Sequence, residues 1–410
     1  MQRVLFKVDV QKERFRLPLP RYFMSTLANA WMAAVCAGAT LGYTSPAAQS
    51  IAAASGDKAE ALHPLSTSPW FTSLLPLGAM LGALLGGPSS QYLGRRQTLL
   101  LSALCFMAGY SCIMTARSAE FTLIGRFVTG LATGIVSLCA PVYISEIVVA
   151  TQRGSLGAVF QLAVTLGILY SYVMSRFMQW KWLAAACFFC SVLLVITSHF
   201  AVESPRWLLL RGRKLDAILC LQILRGPDIR VDDECYAIEQ VFPSASTPRS
   251  HVLLALKGNF MQQFSGINMF IFYAGSLFQS VGISISAKDT SIIMAGLQVG
   301  ATLVAVALMD VVGRRRLLSV SSIICVFALT TIGALYSMSS GGEQEATPSV
   351  WPSIDRLPVV FMGLYVMGTK SRARFVCALY SRTCRNFICK PASSLSPTII
   401  SLPPSTPALR

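Results

Sequence analysis

The chain is written in long apolar runs separated by short charged punctuation. A helix that crosses a bilayer needs roughly 20 mainly apolar residues. Nine runs qualify, near Leu27–Pro46, Phe71–Tyr92, Thr98–Thr115, Phe121–Tyr143, Ser155–Ser175, Trp182–Ala201, Val252–Gln279, Ser291–Met309 and Leu317–Met338. A tenth run, Leu357–Gly368, is too short to span alone. With 54% of its 410 residues hydrophobic and only 13% charged, the chain has too little polar surface to cover a water-soluble fold. The pattern predicts an all-α polytopic membrane protein.

Charge gives the runs an orientation. The first 21 residues hold six bases (Arg3, Lys7, Lys12, Arg14, Arg16, Arg21) and no apolar core. They read as a cytoplasmic arm, not a cleaved signal peptide. Counting spans from an inside start puts Arg95 and Arg96, Arg153, the segment Glu203–Ser250 and Arg314–Arg316 in cytoplasmic loops. That is the positive-inside pattern. Ser339–Asp355, expected outside, has Glu343, Glu345 and Asp355 but no Lys or Arg.

The runs also repeat. Gln91-Tyr92-Leu93-Gly94-Arg95-Arg96 follows the second span and Asp310-Val311-Val312-Gly313-Arg314-Arg315 follows the eighth. Six spans separate the two turns, as expected for two six-helix halves duplicated in one orientation. The organisation predicted is a cytoplasmic arm over 1–26, a six-helix bundle over 27–202, a linker over 203–250 and a partial second bundle over 251–368. Beyond Gly368 the hydropathy collapses into Lys370, Arg372 and Arg374 and then a Ser/Pro-rich stretch. Each of those charges costs about 2.5–3.5 kcal/mol at a helix centre, so the second bundle is expected to be incomplete, cut inside its tenth helix. The tail 369–410 is expected to be disordered.

A net charge of +16 invites a nucleic-acid reading, but the bases are spread over loops and both ends, with no basic face interleaved with aromatics. Of the 12 cysteines, seven (Cys36, Cys105, Cys112, Cys139, Cys187, Cys190 and Cys325) fall inside apolar runs, where Cys acts as a small hydrophobe. The chain carries no phosphate-cradling glycine loop with Lys and no Ser/His/Asp constellation, and has three His. Enzymatic chemistry, a metal and a cofactor are therefore not expected. No Asn-x-Ser/Thr acceptor exists to report the compartment.

Candidate chemistry sits in amides. A neutral sugar offers hydroxyls and ring faces, which amide side chains in a wet cavity can bind as both donor and acceptor. The seventh span carries Gln262, Gln263 and Asn268. On an unbroken helix these point at about 0°, 100° and 240°, which is no single face. They are thus interhelical glue, or the helix unwinds near Gly266 so that they converge. Gln161 and Gln298 are the other amides well inside spans, with the same two readings. At the cytoplasmic ends, Glu146 near Arg153, and Arg95, Arg96, Asp310, Arg314 and Arg315 in equivalent turns, are candidates for a latch between the halves. The alternative is a topology signal with solvated turns. The first span and the interiors of spans two to eight lack acids that could carry a coupled proton, which favours passive movement.

The ordered set Gln262-Gln263-Phe264-Ser265-Gly266-Ile267-Asn268, Pro141-Val142-Tyr143-Ile144-Ser145-Glu146, Arg153-Gly154, Glu203-Ser204-Pro205-Arg206 and the two Gly-Arg-Arg turns resembles the sugar porters of the major facilitator superfamily, and among them the facilitated glucose transporters. The likeness covers about Asn29 to Gly368. Gly42-Tyr43-Thr44-Ser45-Pro46 and the loop lengths look most similar to class III hexose transporters and insect trehalose transporters. The resemblance implies a major facilitator fold and alternating-access transport of a hexose such as glucose. It matches Gln161, Ile168, Gln262, Gln263 and Asn268 to positions lining the hexose site, sets Gln298 where the family commonly has Asn, and matches Phe272 and Tyr273 to outer-gate aromatics. It adds Glu203 and Arg206 to the latch. Gln91 departs from the acid frequent at that place. From Thr369 on, the family's later signatures are missing, which looks like a frameshifted or mis-spliced end. The alternatives this raises are a non-transporting truncated isoform and a trehalose or polyol carrier. The protein's surroundings are then a lipid bilayer, in the plasma membrane or an endosomal or lysosomal one.

Overall fold

The computed structural model describes residues 21–54, 70–149, 152–226, 231–241, 266–272, 287–312 and 314–340. Six long helices account for the first half: α1 (Arg21–Ala54), α2 (Trp70–Tyr92), α3 (Arg95–Thr115), α4 (Ala119–Ile147), α5 (Arg153–Phe177) and α6 (Trp180–Phe200). All six are long and apolar enough to cross a membrane. Three short helices follow, α7 (Pro205–Leu210), α8 (Lys214–Arg225) and α9 (Asp232–Val241). From the second half come α10 (Ile267–Phe272), α11 (Ala287–Val312) and α12 (Arg314–Ser340). The eighth and ninth predicted runs lie inside α11 and α12. Most of the seventh run, the tenth run, the arm before Arg21 and the tail lie outside the described residues.

One boundary differs from the sequence reading. The first span was expected to end at Pro46, yet α1 runs on to Ala54 with Pro46 inside it. Proline removes one backbone donor, and α2 (Pro76, Pro88) and α4 (Pro141) carry it too. Neighbouring helices that hold the segment in place make this tolerable in a membrane bundle.

Lipid tails give no hydrophobic drive between helices, so adhesion comes from close packing at small residues. α2 and α4 do this reciprocally. A Cβ on Gly78 or Gly82 would lie 2.3 and 2.0 Å from the carbonyl oxygens of Phe127 and Leu131, and one on Gly130 or Gly134 would lie 2.4 and 2.1 Å from those of Leu75 and Ala79. α1 and α5 repeat the device, with Gly38 against the Val164 carbonyl at 2.0 Å and Gly167 against that of Val35 at 2.2 Å. Around these crossings the main core gathers Tyr43, Phe71, Phe106, Tyr110, Tyr143 and Leu194. Cys187 and Cys190, three residues apart, are free thiols packed into that core. They face protein rather than lipid.

A second core joins the halves: Leu75 of α2 and Ile168 and Tyr172 of α5 pack with Ile271 and Phe272 of α10, Met294 and Ala295 of α11, and Cys325 and Ala328 of α12.

Gly82→Leu should force α2 from α4, costing about 1–3 kcal/mol or more, and Gly87→Ala, which meets nothing within 4 Å, should be neutral or slightly stabilising. Thermal melting of the detergent-extracted protein followed by size-exclusion chromatography reads both.

Candidate functional site

Two polar centres lie at opposite ends of the bundle. The first is built where α2 turns into α3. Gly94 sits at φ +99°, a conformation that favours glycine, and a Cβ there would come 2.7 Å from Glu203 Oε2. The Gly-Arg-Arg turn therefore needs its glycine twice, for the backbone angle and for the carboxylate pressed against it. Glu203 Oε1 accepts from the backbone N–H groups of Arg95 (2.8 Å), Arg96 (3.1 Å) and Ser204 (3.0 Å). A negative charge on the free N–H groups at the start of α3 is the arrangement the helix dipole favours. Burial, the dominant influence, raises the Glu203 carboxyl above its ordinary range, while these amide bonds and Arg95 pull it down.

Arg95 is buried and grips Glu146 on the last turn of α4 with both oxygens, Nε to Oε2 and Nη2 to Oε1, each at 2.9 Å. Such a two-pronged pair is among the stronger charge-assisted contacts. Ser204 Oγ donates to Glu146 Oε2 at 2.6 Å, which ties the pair to the start of α7. Arg96 donates to the carbonyls of Ser198 (2.8 Å) and His199 (3.3 Å) near the end of α6. Arg225 of α8 pairs with Glu234 of α9 at 2.8 Å and donates to the Ile147 carbonyl at 2.9 Å.

Glu146 thus takes Arg95 as its partner, where its nearness in sequence had suggested Arg153. The reason is geometric: α4 ends at Ile147 and the chain turns before α5 starts, leaving Arg153 Nε donating to the Val148 carbonyl at 3.0 Å. The contacts of this charged end described above all lie within the first six helices and the linker helices α7–α9. Arg206 is half-buried on α7. Asp310, Arg314 and Arg315 occupy the ends of α11 and α12, and their side chains lie outside the described residues.

The second centre lies toward the far end, on the face where α5 meets the second half. Gln161, Ile168 and Tyr172 share that face, spaced seven and four residues apart. Ile168 is fully buried and Gln161 half-buried. The Tyr172 hydroxyl donates to the Ile271 carbonyl of α10 at 2.8 Å, and Arg176 Nε meets Asp289 Oδ1 of α11 at 3.0 Å. That ion pair is well exposed, so it contributes at most about 1 kcal/mol; the buried hydroxyl bond and the apolar cluster carry more of the junction. On α11, Gln298 lies one turn from Met294 and Ala295 and is 4% exposed. Its Oε1 is buried without a donor among the described residues.

Gly266 precedes α10 at φ +76°, and an α-helix cannot run through that angle. α10 therefore begins only after Gly266: Asn268, half-buried, stands in its first turn, while Gln262 and Gln263 before it and Tyr273 beyond Phe272 lie outside the described residues.

Arg126, two turns into α4, is completely buried. Its guanidinium donates to Thr44 Oγ1 and lies over the rings of Tyr43 (5.3 Å) and Phe71 (5.0 Å), with Nε and Nη1 unpartnered among the described residues. A cation held by a hydroxyl and two ring faces binds α4 to α1 and α2 without a carboxylate. Its position inside an apolar run was the signal. Tyr172, Arg176 and Asp289 gave no such signal, because only packing brings them together.

The sugar (and other) transporter family matches residues 20–379 of this chain. The facilitated trehalose transporter Tret1 of Apis mellifera ligustica is 31% identical over 375 residues, 87% of this chain and 72% of that protein. The solute carrier family 2, facilitated glucose transporter member 8 of Bos taurus is 34% identical over 342 residues, 82% and 70% of the two chains. The fold is similar to that of the E. coli xylose transporter XylE in a partially occluded inward-open conformation, with TM-score 0.70 and 21% identity over 89% of this chain and 91% of that one.

Glu203→Gln keeps an acceptor for the three amides and should cost little stability, whereas Glu203→Ala strands them and should cost about 1–3 kcal/mol. The folded value of Glu203 lies above its unfolded one. Its contribution to stability is therefore complete below the ordinary carboxylate range and is lost as pH rises through the raised value. Melting temperature against pH should show that decline in the wild type and not in Glu203→Gln. Tyr172→Phe removes one bond of about 1 kcal/mol between the halves; hydrogen–deuterium exchange across 287–295 should quicken by about fivefold.

Proposed function

The chain belongs to the sugar (and other) transporter family, and from that premise we propose that this integral multi-pass membrane protein moves a hexose such as glucose down its gradient by alternating access. The observation that carries the reading is Gln298. A buried amide oxygen without a donor is costly to keep, and this one lies on the α11 face packed against α5, where Gln161 lies two turns from Ile168. A sugar hydroxyl has the donor that none of the described residues gives it. Asn268 stands in the first turn of α10, just after Gly266, whose backbone angle no α-helix passes through; discontinuous helices are the usual way to present polar groups to a midplane solute. With Gln262 and Gln263, these residues are the proposed hexose-contacting set, and Phe272, with Tyr273, the proposed outer gate.

Passive movement is supported by where the acids fall. Among the described residues of the spanning helices, Glu120, Glu146 and Asp289 lie at helix ends, and the buried cation Arg126 has a threonine as its hydrogen-bond partner. Coupled proton transfer asks for a buried carboxylate. The protein is proposed as a carrier that performs no covalent chemistry and uses no cofactor.

The Tyr172 and Arg176 contacts belong to the end where the halves meet, and the Arg95–Glu146–Glu203 network to the other. In the proposed orientation the charged end is cytoplasmic, together with the arm 1–26 and the linker 203–250, and the membrane is the plasma membrane or an endosomal or lysosomal one. The network then keeps the first bundle rigid while the second bundle, 251–368, rocks about the site, and Arg153, Arg206, Asp310, Arg314 and Arg315 complete the cytoplasmic latch.

Radiolabelled glucose uptake into vesicles containing this chain is the direct test. Gln298→Leu should raise the half-saturation concentration by about tenfold, equivalent to about 1.4 kcal/mol, with protein yield unchanged. Unaltered affinity in both Gln298→Leu and Asn268→Ala would remove the proposed site, and trehalose outcompeting glucose would move the substrate to a disaccharide.

A further inference from the structure

We propose that the cleft between α3 and the linker helices is a binding site for an anionic phospholipid of the leaflet at the charged end. The cleft has a volume of about 690 Å³ and is lined chiefly by Leu93, Leu101 and Leu104 on one side and by Trp207, Leu219 and Ile223 on the other. It lies apart from the second centre, and Gln97 is the one amide in its lining.

Its depth points to the bilayer. α3 starts at Arg95, and Leu104 lies nine residues further on, about 14 Å along a helix rising 1.5 Å per residue. That reaches most of the way through one leaflet of a hydrocarbon core roughly 30 Å thick. Leu101 and Leu104 are 38% and 51% exposed, so the cleft opens sideways onto the lipid-facing surface of α3. An occupant long enough to fill it has an acyl chain.

α8 gives independent support. It buries Ala217, Cys220, Leu221 and Leu224 against the protein, yet presents a second apolar stripe, Leu215, Leu219 and Ile223, exposed by 79%, 57% and 42%. Spaced four residues apart, these three lie along one side of the helix. A helix apolar on two sides is not built for water; this one places its outer stripe at an acyl boundary.

Charge selects the headgroup. Glu203 is committed to three backbone amides, and Asp216 to Arg213 at 2.7 Å. Arg96, which lines the cleft, and Arg211, which stacks over the Trp207 ring at 5.5 Å, donate to backbone carbonyls (Ser198, His199, Gln91 and Tyr92), so both keep their positive charge. Set against Glu203 and Asp216, the three bases Arg96, Arg211 and Arg213 leave the cleft and its mouth one positive charge in excess, which favours a phosphate carrying further negative charge. The chain's own tail does not suit it, because Lys370–Arg410 holds seven bases and no acid.

The test exposes the full-length purified protein to mixed micelles of equimolar phosphatidylcholine and phosphatidylserine and weighs what it retains by native mass spectrometry. One phospholipid per chain is expected, with phosphatidylserine about fivefold over phosphatidylcholine. Leu219→Glu, which places a charge in the cleft, and Leu219→Trp, which fills it, should each cut retention by at least about tenfold; the position is exposed, so both should fold. Arg211→Gln should keep the lipid and bring the two headgroups near parity. Retention of no lipid, retention untouched in both Leu219 variants, or equal retention of the two headgroups by the wild type overturns the proposal. So does a dimer that Leu219→Glu separates, since that would assign the face to a second copy, and so does displacement by soluble glycerophosphoserine alone, since that would deny the acyl chain its part.

Discussion

In a solvent as apolar as a leucine side chain, helices gain nothing by hiding leucines from it, and what remains to hold a bundle together is contact at short range. Here that contact is backbone against backbone. Gly78 and Gly82 of α2 seat against α4, Gly130 and Gly134 of α4 seat against α2, and Gly38 and Gly167 do the same for α1 and α5. Each crossing leaves no room for a methyl group. The arrangement fixes which face of each helix looks inward, and from it follow the burial of Arg126 under Tyr43 and Phe71 and the direction in which Gln161, Ile168 and Tyr172 point.

Polar groups inside such a bundle are expensive unless satisfied, and beside the scattered buried Ser and Thr and the buried Arg126 two polar centres stand out. At the charged end, Arg95, Glu146, Ser204 and Glu203 satisfy one another and the amino end of α3, so the turn, α4 and the linker behave as one unit. Toward the far end, the halves meet through an apolar cluster with the Tyr172 hydroxyl bond at its edge. The two differ in kind: the first is a network of charges that satisfy one another, the second a mainly apolar junction with a buried hydroxyl bond among the described residues. Gln298 of α11 is buried, and its side-chain oxygen has no donor among the described residues.

The linker does a third job. A polar, charge-balanced segment need not fold, yet its described parts form three helices pinned by the Ser204 cap, the Arg225–Glu234 pair and the Cys220 thiol on the Glu203 carbonyl. Pinning α8 there leaves its second apolar stripe beside α3, and a cleft with leucine walls and a basic mouth results.

Hydropathy alone determined the number and order of the first six spanning helices, because a spanning helix must be long and apolar whatever it packs against. It also marked the Gly-Arg-Arg turns and the unusual density of amides in the seventh span, since a bilayer makes any polar residue conspicuous. Partnership was not legible. Glu146 and Arg153 are seven residues apart, yet the carboxylate goes to Arg95, 51 residues away, because the end of α4 faces the start of α3. Pro46 promised an end that α1 does not take. Where α10 begins hinged on the single angle at Gly266, and the meeting of Tyr172 with Ile271 or Arg176 with Asp289 on the packing of two halves. Composition along a chain says what the solvent requires of each segment; only the tertiary structure decides which segments answer one another, because side chains pair by distance in space.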